Sequence, residues 1–146
     1  MDKVRKLILP TWRPVLQATR KYCDVQMKKL VTLPLVDIPE GKFKYVAAKV
    51  YIHGDMGHAR TIVRGFQRVK YHLDVYDRVQ NEVAALELCT QCVGGGYIVH
   101  DKEKKYIKIY GKSQTLGKAD HRETKSILHS KFPDYHIDAQ SGGMEE

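Results

Sequence analysis

Hydrophobic positions recur along this chain with two distinct periods. Over residues 42–53, Phe43, Tyr45, Ala47, Lys49 and Tyr51 alternate with Lys44, Val46, Ala48, Val50 and Ile52. A period of two predicts a strand, and apolar residues on both faces predict a central one, covered on each side. Val69, His72, Tyr76, Val79 and Val83 instead follow at spacings of three and four, which predicts a helix over 61–88 with an imidazole in its apolar stripe. Its entry, 61–65, contains Ile62, Val63 and Gly65, so an extended start is an open alternative there. Residues 33–38 read as a short entering strand, 39–41 as a turn and 53–58 as a loop. Residues 92–100 read as a strand interrupted by three glycines, followed by a charged hairpin turn at 101–105 and a half-exposed strand at Tyr106–Tyr110. After a loop at 111–119, Asp120 predicts an N-cap and Glu123 a capping box for a helix over 121–132. Pro133 ends it, and 135–138 form a last strand. Strand, strand, helix, strand, strand, helix, strand predicts an α/β (α+β) fold, a single mixed sheet flanked by two main helices. The doubly apolar strand favours a three-layer sandwich over a ferredoxin-like arrangement with both helices on one face.

The length, 146 residues with 42% apolar, suits one core. The net charge of +8 invites a nucleic-acid reading. Its distribution argues against one: residues 1–29 hold eight Lys/Arg against Asp2 and Asp24, so the remainder carries only +2 with signs interspersed. Residues 1–29 read as a basic N-terminal extension, flexible or targeting. Scarcity of acids keeps mitochondrial targeting open, while Pro10, Pro14 and the absence of serine oppose a presequence helix. Residues 30–140 form the domain and 141–146 a tail. No run of about 18 apolar residues occurs, so no membrane span is expected. Cys89 and Cys92 make a lone CxxC with no second ligand pair, which predicts free thiols and no metal.

Three features carry candidate chemistry. A half-buried imidazole at His72, with an ordinary pKa of about 6.5, suits proton transfer or acceptance of a phosphoryl group; a core histidine bonded to a carbonyl is the plainer alternative. Lys44 shares a face with valines, so it either snorkels or meets an anion. The 111–119 loop has two glycines, two hydroxyls, two lysines and no acid, and it leads into a helix N-terminus. That composition suits an oxyanion, and equally an ordinary connector.

Taken together, Phe43-Lys44-Tyr45-Val46, Ile62-Val63-Arg64-Gly65, the Tyr71-His72-Leu73-Asp74-Val75-Tyr76-Asp77 run, Gly94-Gly95-Gly96, Gly111-Lys112-Ser113, Gly117-Lys118-Ala119-Asp120-His121 and Lys131-Phe132-Pro133-Asp134-Tyr135 resemble the janus family. That family contains small cytosolic phosphohistidine phosphatases and fly sex-regulated janus and ocnus proteins. The resemblance runs in register over 33–139 and leaves out residues 1–29. It implies a mixed sheet with a helix on each face and metal-independent hydrolysis of phosphohistidine on proteins by a cytoplasmic monomer without cofactor. It places the catalytic role on His72, substrate binding on Lys44, Ser113, Gln114 and Thr115, and accessory roles on Arg64 and His121. Many members carry arginine after the three glycines, where this chain has Tyr97. The alternative it leaves open is therefore a catalytically weak or inactive paralogue, acting as a regulatory or binding protein in sexual differentiation or the male germline.

Overall fold

A computed structural model describes residues 21–22 and 24–140; the basic segment through residue 20 and the 141–146 tail lie outside the described residues. Helix α1 covers 24–32. It is followed by β1 (Val36–Asp37), β2 (Gly41–Ile52), β3 (Asp55–Phe66), α2 (His72–Ala85), β4 (Cys89–Asp101), β5 (Tyr106–Tyr110), α3 (His121–Lys131) and β6 (His136–Ala139). The strands form one six-stranded sheet in the order β1-β3-β2-β4-β5-β6. Its four central strands are antiparallel, and β1 and β6 add to the edges in parallel.

The alternation along β2 divides its side chains between two cores, as expected of a covered central strand. Ala48, Val50 and Ile52 pack with Leu30, Leu33, Ile62, Val79 and Val83, beneath α1 and α2. Phe43, Tyr45 and Ala47 pack with Ile98, Ile107, Ile109 and Leu128, beneath α3. The result is the three-layer sandwich, with two helices on one face and one on the other. Val75, Val79 and Val83 are fully buried, each worth about 1.5–3 kcal/mol relative to exposure, which holds α2 to the sheet.

The structure corrects several boundaries. Residues 55–66 form a full strand rather than a loop and a helical entry. The β-branched Thr61-Ile62-Val63 run pairs with Lys49-Ala48-Ala47 of β2, and tertiary pairing with a central strand decides the ambiguity. The helix consequently begins at His72 rather than near Thr61, and its buried stripe is His72, Val75, Val79 and Val83, without Val69. The entering strand shrinks to Val36–Asp37, because the chain is helical through residue 32 and Pro34 follows the helix end. Helix α1 crosses from residue 29 to residue 30 without a break. Its buried Gln26 donates to the carbonyls of Leu86 (3.0 Å) and Glu87 (2.6 Å), satisfying groups at the C-terminal end of α2.

Candidate functional site

Strand register assembles the site. Lys44 of β2 pairs with Tyr97 of β4, and Tyr97 pairs with Tyr110 of β5. These three side chains therefore form a row on the α2 face of the sheet. His72, the first residue of α2, stands above the same face. The start of α2 is held by Asp74, whose carboxylate accepts from the Tyr71 amide at 3.2 Å. Close approach of His72 requires glycine beneath it: a Cβ on Gly95 would lie 2.9 Å from the His72 ring and 2.8 Å from the Tyr45 carbonyl.

Nε2 of His72 lies 2.7 Å from the carbonyl oxygen of Gly96. A carbonyl only accepts, so Nε2 carries the proton and, in the neutral ring, Nδ1 keeps its lone pair. Burial pushes the His72 pKa below the ordinary 6.5, the bond to Gly96 opposes that shift, and the Lys44 charge adds to it. The partial positive charge at the α2 N-terminus acts in the same direction as burial. His72 is thus a neutral base at physiological pH, 7% exposed, with one nitrogen fixed to the backbone.

The 111–120 loop leaves β5 directly after Tyr110 and returns against β4. Gly95 donates to the Gly117 carbonyl (3.0 Å) and accepts from the Ala119 amide (3.2 Å). Within the loop, the Ser113 and Gly117 backbones bond each other at 3.2 and 3.0 Å, and Ser113 Oγ accepts from the Leu116 amide at 3.0 Å. Ser113 therefore shapes the turn, and its own amide is already used. The amides of Gln114 and Thr115 donate to no acceptor among the described residues, which leaves them available to a bound anion. Asp120 caps α3 as expected, its carboxylate accepting from the Arg122 (3.0 Å) and Glu123 (3.3 Å) amides.

Lys44, His72, Ser113, Gln114 and Thr115 all line one cavity of about 370 Å³, joined by Lys70, Tyr71, Tyr97, Tyr110, Gly111 and Lys112. Lys44 Nζ reaches the Val69 carbonyl (3.4 Å) and sits 5.8 Å from the Tyr97 ring centroid. Tyr110, Lys70 and Tyr71 escaped the sequence reading. Tyr110 was recoverable only from the pairing of β4 with β5, and the other two only from knowing where α2 begins.

Two expected accessories lie outside this lining. His121 is on the α3 face: its ring approaches Gly96 from the side opposite His72, and a Cβ on Gly96 would lie 2.9 Å from it. Its Nε2 donates to the Gly111 carbonyl at 2.8 Å, so its Nδ1 accepts from the Tyr45 hydroxyl at 2.7 Å. With both nitrogens engaged, His121 tethers the first residue of the loop rather than facing a ligand. Burial lowers its pKa, the Gly111 bond opposes this, and Lys118 lowers it further against the opposing charge of Asp120. Arg64 is 1% exposed and pairs with Glu82 of α2, with Nε and a terminal nitrogen each 3.1 Å from a carboxylate oxygen. It also donates to the Pro34 carbonyl at 2.6 Å. It joins α2 to the sheet.

Among the described residues no group of three or more His, Cys, Asp and Glu side chains could hold a metal ion. Cys89 and Cys92 are unpaired and half-buried, and burial raises the Cys92 thiol pKa. No helix of the described residues is long and apolar enough to cross a membrane.

Comparison with known proteins gives the family. Residues 30–136 match the Janus/Ocnus family. The sex-regulated protein janus-A of Drosophila yakuba is 49% identical over 115 residues, 78% of this chain and 84% of the fly protein. Its Drosophila melanogaster counterpart is 47% identical over the same shares. The sex-regulated protein janus-B of Drosophila pseudoobscura pseudoobscura is 44% identical over 110 residues, 74% and 78% of the two chains. With its fold, its ordered motifs and these matches in agreement, the chain belongs to the Janus/Ocnus family.

Proposed function

We propose that this protein is a protein-histidine phosphatase, hydrolysing phosphohistidine on proteins without a metal. The observation that carries the reading is the fixed tautomer of His72. Its Nε2 proton is committed to Gly96, so the unprotonated Nδ1 is the reactive atom in a pocket that also holds Lys44 and the Gln114 and Thr115 amides.

The chemistry asks little more than this. In phosphohistidine the phosphoryl group is bonded to an imidazole nitrogen, and a protonated imidazole departs readily. Lys44 and the loop amides hold the phosphoryl oxygens as charge develops on them. The His72 Nδ1 lone pair serves either of two routes. It removes a proton from a water attacking phosphorus, or it forms the new N–P bond itself before water cleaves it. In the first route the N–P bond breaks as water bonds to phosphorus, and the proton His72 took from that water passes to the departing imidazole. In the second the imidazole leaves with a proton from solvent, and water then cleaves the His72 N–P bond to release phosphate. His121, with both nitrogens occupied, holds the loop in this reading.

A phosphohistidine peptide incubated with the protein and a chelator tests this. Turnover should disappear in His72→Ala and persist in His129→Ala, whose side chain lies on α3 across the sheet. Equal rates for wild type and His72→Ala remove the proposal. A second reading, a phosphoryl-binding regulator without turnover in sexual differentiation, is favoured by the description of the relatives as sex-regulated. It predicts saturable phosphopeptide binding that needs Lys44, with no release of phosphate.

A further inference from the structure

The pocket holds more than a phosphoryl site requires. Its volume, about 370 Å³, falls within the range of roughly 300–1,000 Å³ that accommodates whole organic ligands. Three of its lining side chains, Tyr71, Tyr97 and Tyr110, are aromatic. Tyr97 and Tyr110 stack with centroids 5.6 Å apart and planes 20° from parallel. Tyr110 is 6% exposed and so fixes the stack, whereas Tyr97 is only half-buried. Gly111 meets the Tyr97 ring at its edge, where a Cβ would come within 2.7 Å of Cδ2. It meets the His72 ring at 84°, with centroids 5.2 Å apart. The Lys44 ammonium over Tyr97 places an anion-binding charge beside the same ring.

We infer that the Tyr97–Tyr110 stack is a wall for the planar ring that carries the phosphoryl group, so that the site reads the carrier as well as the phosphate. It prefers a phosphorylated aromatic ring, the imidazole of phosphohistidine among them, over the same N–P group on an aliphatic amine such as phospholysine. The assignment rests on the phosphohistidine reading of the pocket and names Tyr97 as its specificity-determining residue. A ring bonded to a phosphoryl held by Lys44 and the loop finds an aromatic surface beside it, and offset or edge contact between rings is favourable. A flexible alkyl carrier gains less from that contact and loses rotamer freedom on being held.

Phenylphosphonate and butylphosphonate present one non-hydrolysable anion on a ring and on a chain. Both are titrated calorimetrically against the full chain, beside turnover of phosphohistidine and phospholysine peptides. The phenyl compound should bind roughly 3- to 10-fold more tightly. Tyr97→Phe should keep that ratio, and Tyr97→Leu should bring it to about one. Inorganic phosphate, which has no carrier, reports whether the pocket still forms in Tyr97→Leu. If it does not, Tyr97→Met, which fills similar space without a ring, takes its place. Equal affinities in the wild type, or a preference that survives loss of the ring, overturn the inference even if phosphohistidine is turned over. Ring preference without turnover of either peptide keeps the wall and removes the phosphatase reading instead.

Discussion

Replacing His121 with leucine separates a histidine that reacts from one that positions. The substitution removes the Nε2 donor 2.8 Å from the Gly111 carbonyl and the Nδ1 acceptor 2.7 Å from the Tyr45 hydroxyl. Tyr45 is fully buried, and burial pushes its pKa well above the ordinary 10, so its hydroxyl stays protonated and needs an acceptor. Two buried polar groups lose a partner, at about 1–3 kcal/mol each, the Tyr45 hydroxyl at the lower end because Thr124 Oγ1 stays 3.3 Å from it. Recovering the desolvation of the imidazole offsets part of that, leaving a net loss of about 3 kcal/mol, or on the order of 10 °C in Tm for a domain of this size. Urea unfolding of His121→Leu measures it. Adding Tyr45→Phe should return up to about 1 kcal/mol, because the hydroxyl left with only the long Thr124 contact goes with it.

The same variant has a kinetic signature. With Gly111 untethered, the Gln114 and Thr115 amides lose their fixed position, so kcat should fall while the pH profile keeps its shape. His121→Gln, whose amide can still donate to Gly111, should recover part of the rate. A destabilisation below about 0.5 kcal/mol, or the disappearance of one limb of the pH profile, would refute the reasoning. The second outcome would instead make His121 a proton donor in the reaction.

Lys44→Ala should raise KM about 10- to 100-fold, the loss of one charge-assisted contact of about 1.5–3 kcal/mol. Because the Lys44 charge helps to depress the His72 pKa, the acid limb of kcat/KM should also move to higher pH in this variant. In the wild type that limb should lie below pH 6.5, since burial holds His72 neutral there; acid-labile substrate blanks make the measurement possible. Folding stability should follow the same sign. Between 6.5 and the depressed native values of His72 and His121, the unfolded chain binds protons that the folded chain does not, so stability is full above 6.5 and falls as pH drops. Glu82→Gln should cost about 1–3 kcal/mol in urea unfolding by leaving the buried Arg64 cation without its carboxylate. Partial exposure of Glu82 keeps this below the cost of breaking a fully buried pair.

What was legible in the sequence, and what was not, follows from how far each signal reaches along the chain. The β2 alternation and the His72-Val79-Val83 stripe are local, and they were sufficient for the layers; that Lys44 and His72 share one face comes from the strand register and the start of α2. Residues 55–58 were misread as loop and 61–65 left open between helix and strand, because Gly65 and the histidine-containing turn dilute the local pattern and only pairing with β2 makes them a strand. Helix α1 was hidden because its determinant is distant: Gln26 is buried against carbonyls about 60 positions away. The resemblance supplied the site residues as a set but gave no tautomer and no face. Ser113 lines the cavity as the resemblance implied, and its amide also closes the turn that leaves its neighbours free, which no sequence signal announced.

The three glycines explain why the site needs both layers. On a central strand, consecutive residues point to opposite faces. Gly95 admits His72 from the α2 side, and Gly96 admits His121 from the α3 side. The same strand supplies the Gly96 carbonyl that fixes the His72 tautomer and the Gly95 amide that receives the returning loop. A side chain at either position would displace one histidine and strain the other through the shared backbone. The His72 ring and the loop amides are thus referenced to one short stretch of β4, and their relative position is set by backbone geometry rather than by mobile side chains. On the proposed function, groups that meet one phosphoryl within a few tenths of an ångström benefit from such a common support. It also accounts for a site built from a helix start, a strand and a loop that are far apart in sequence.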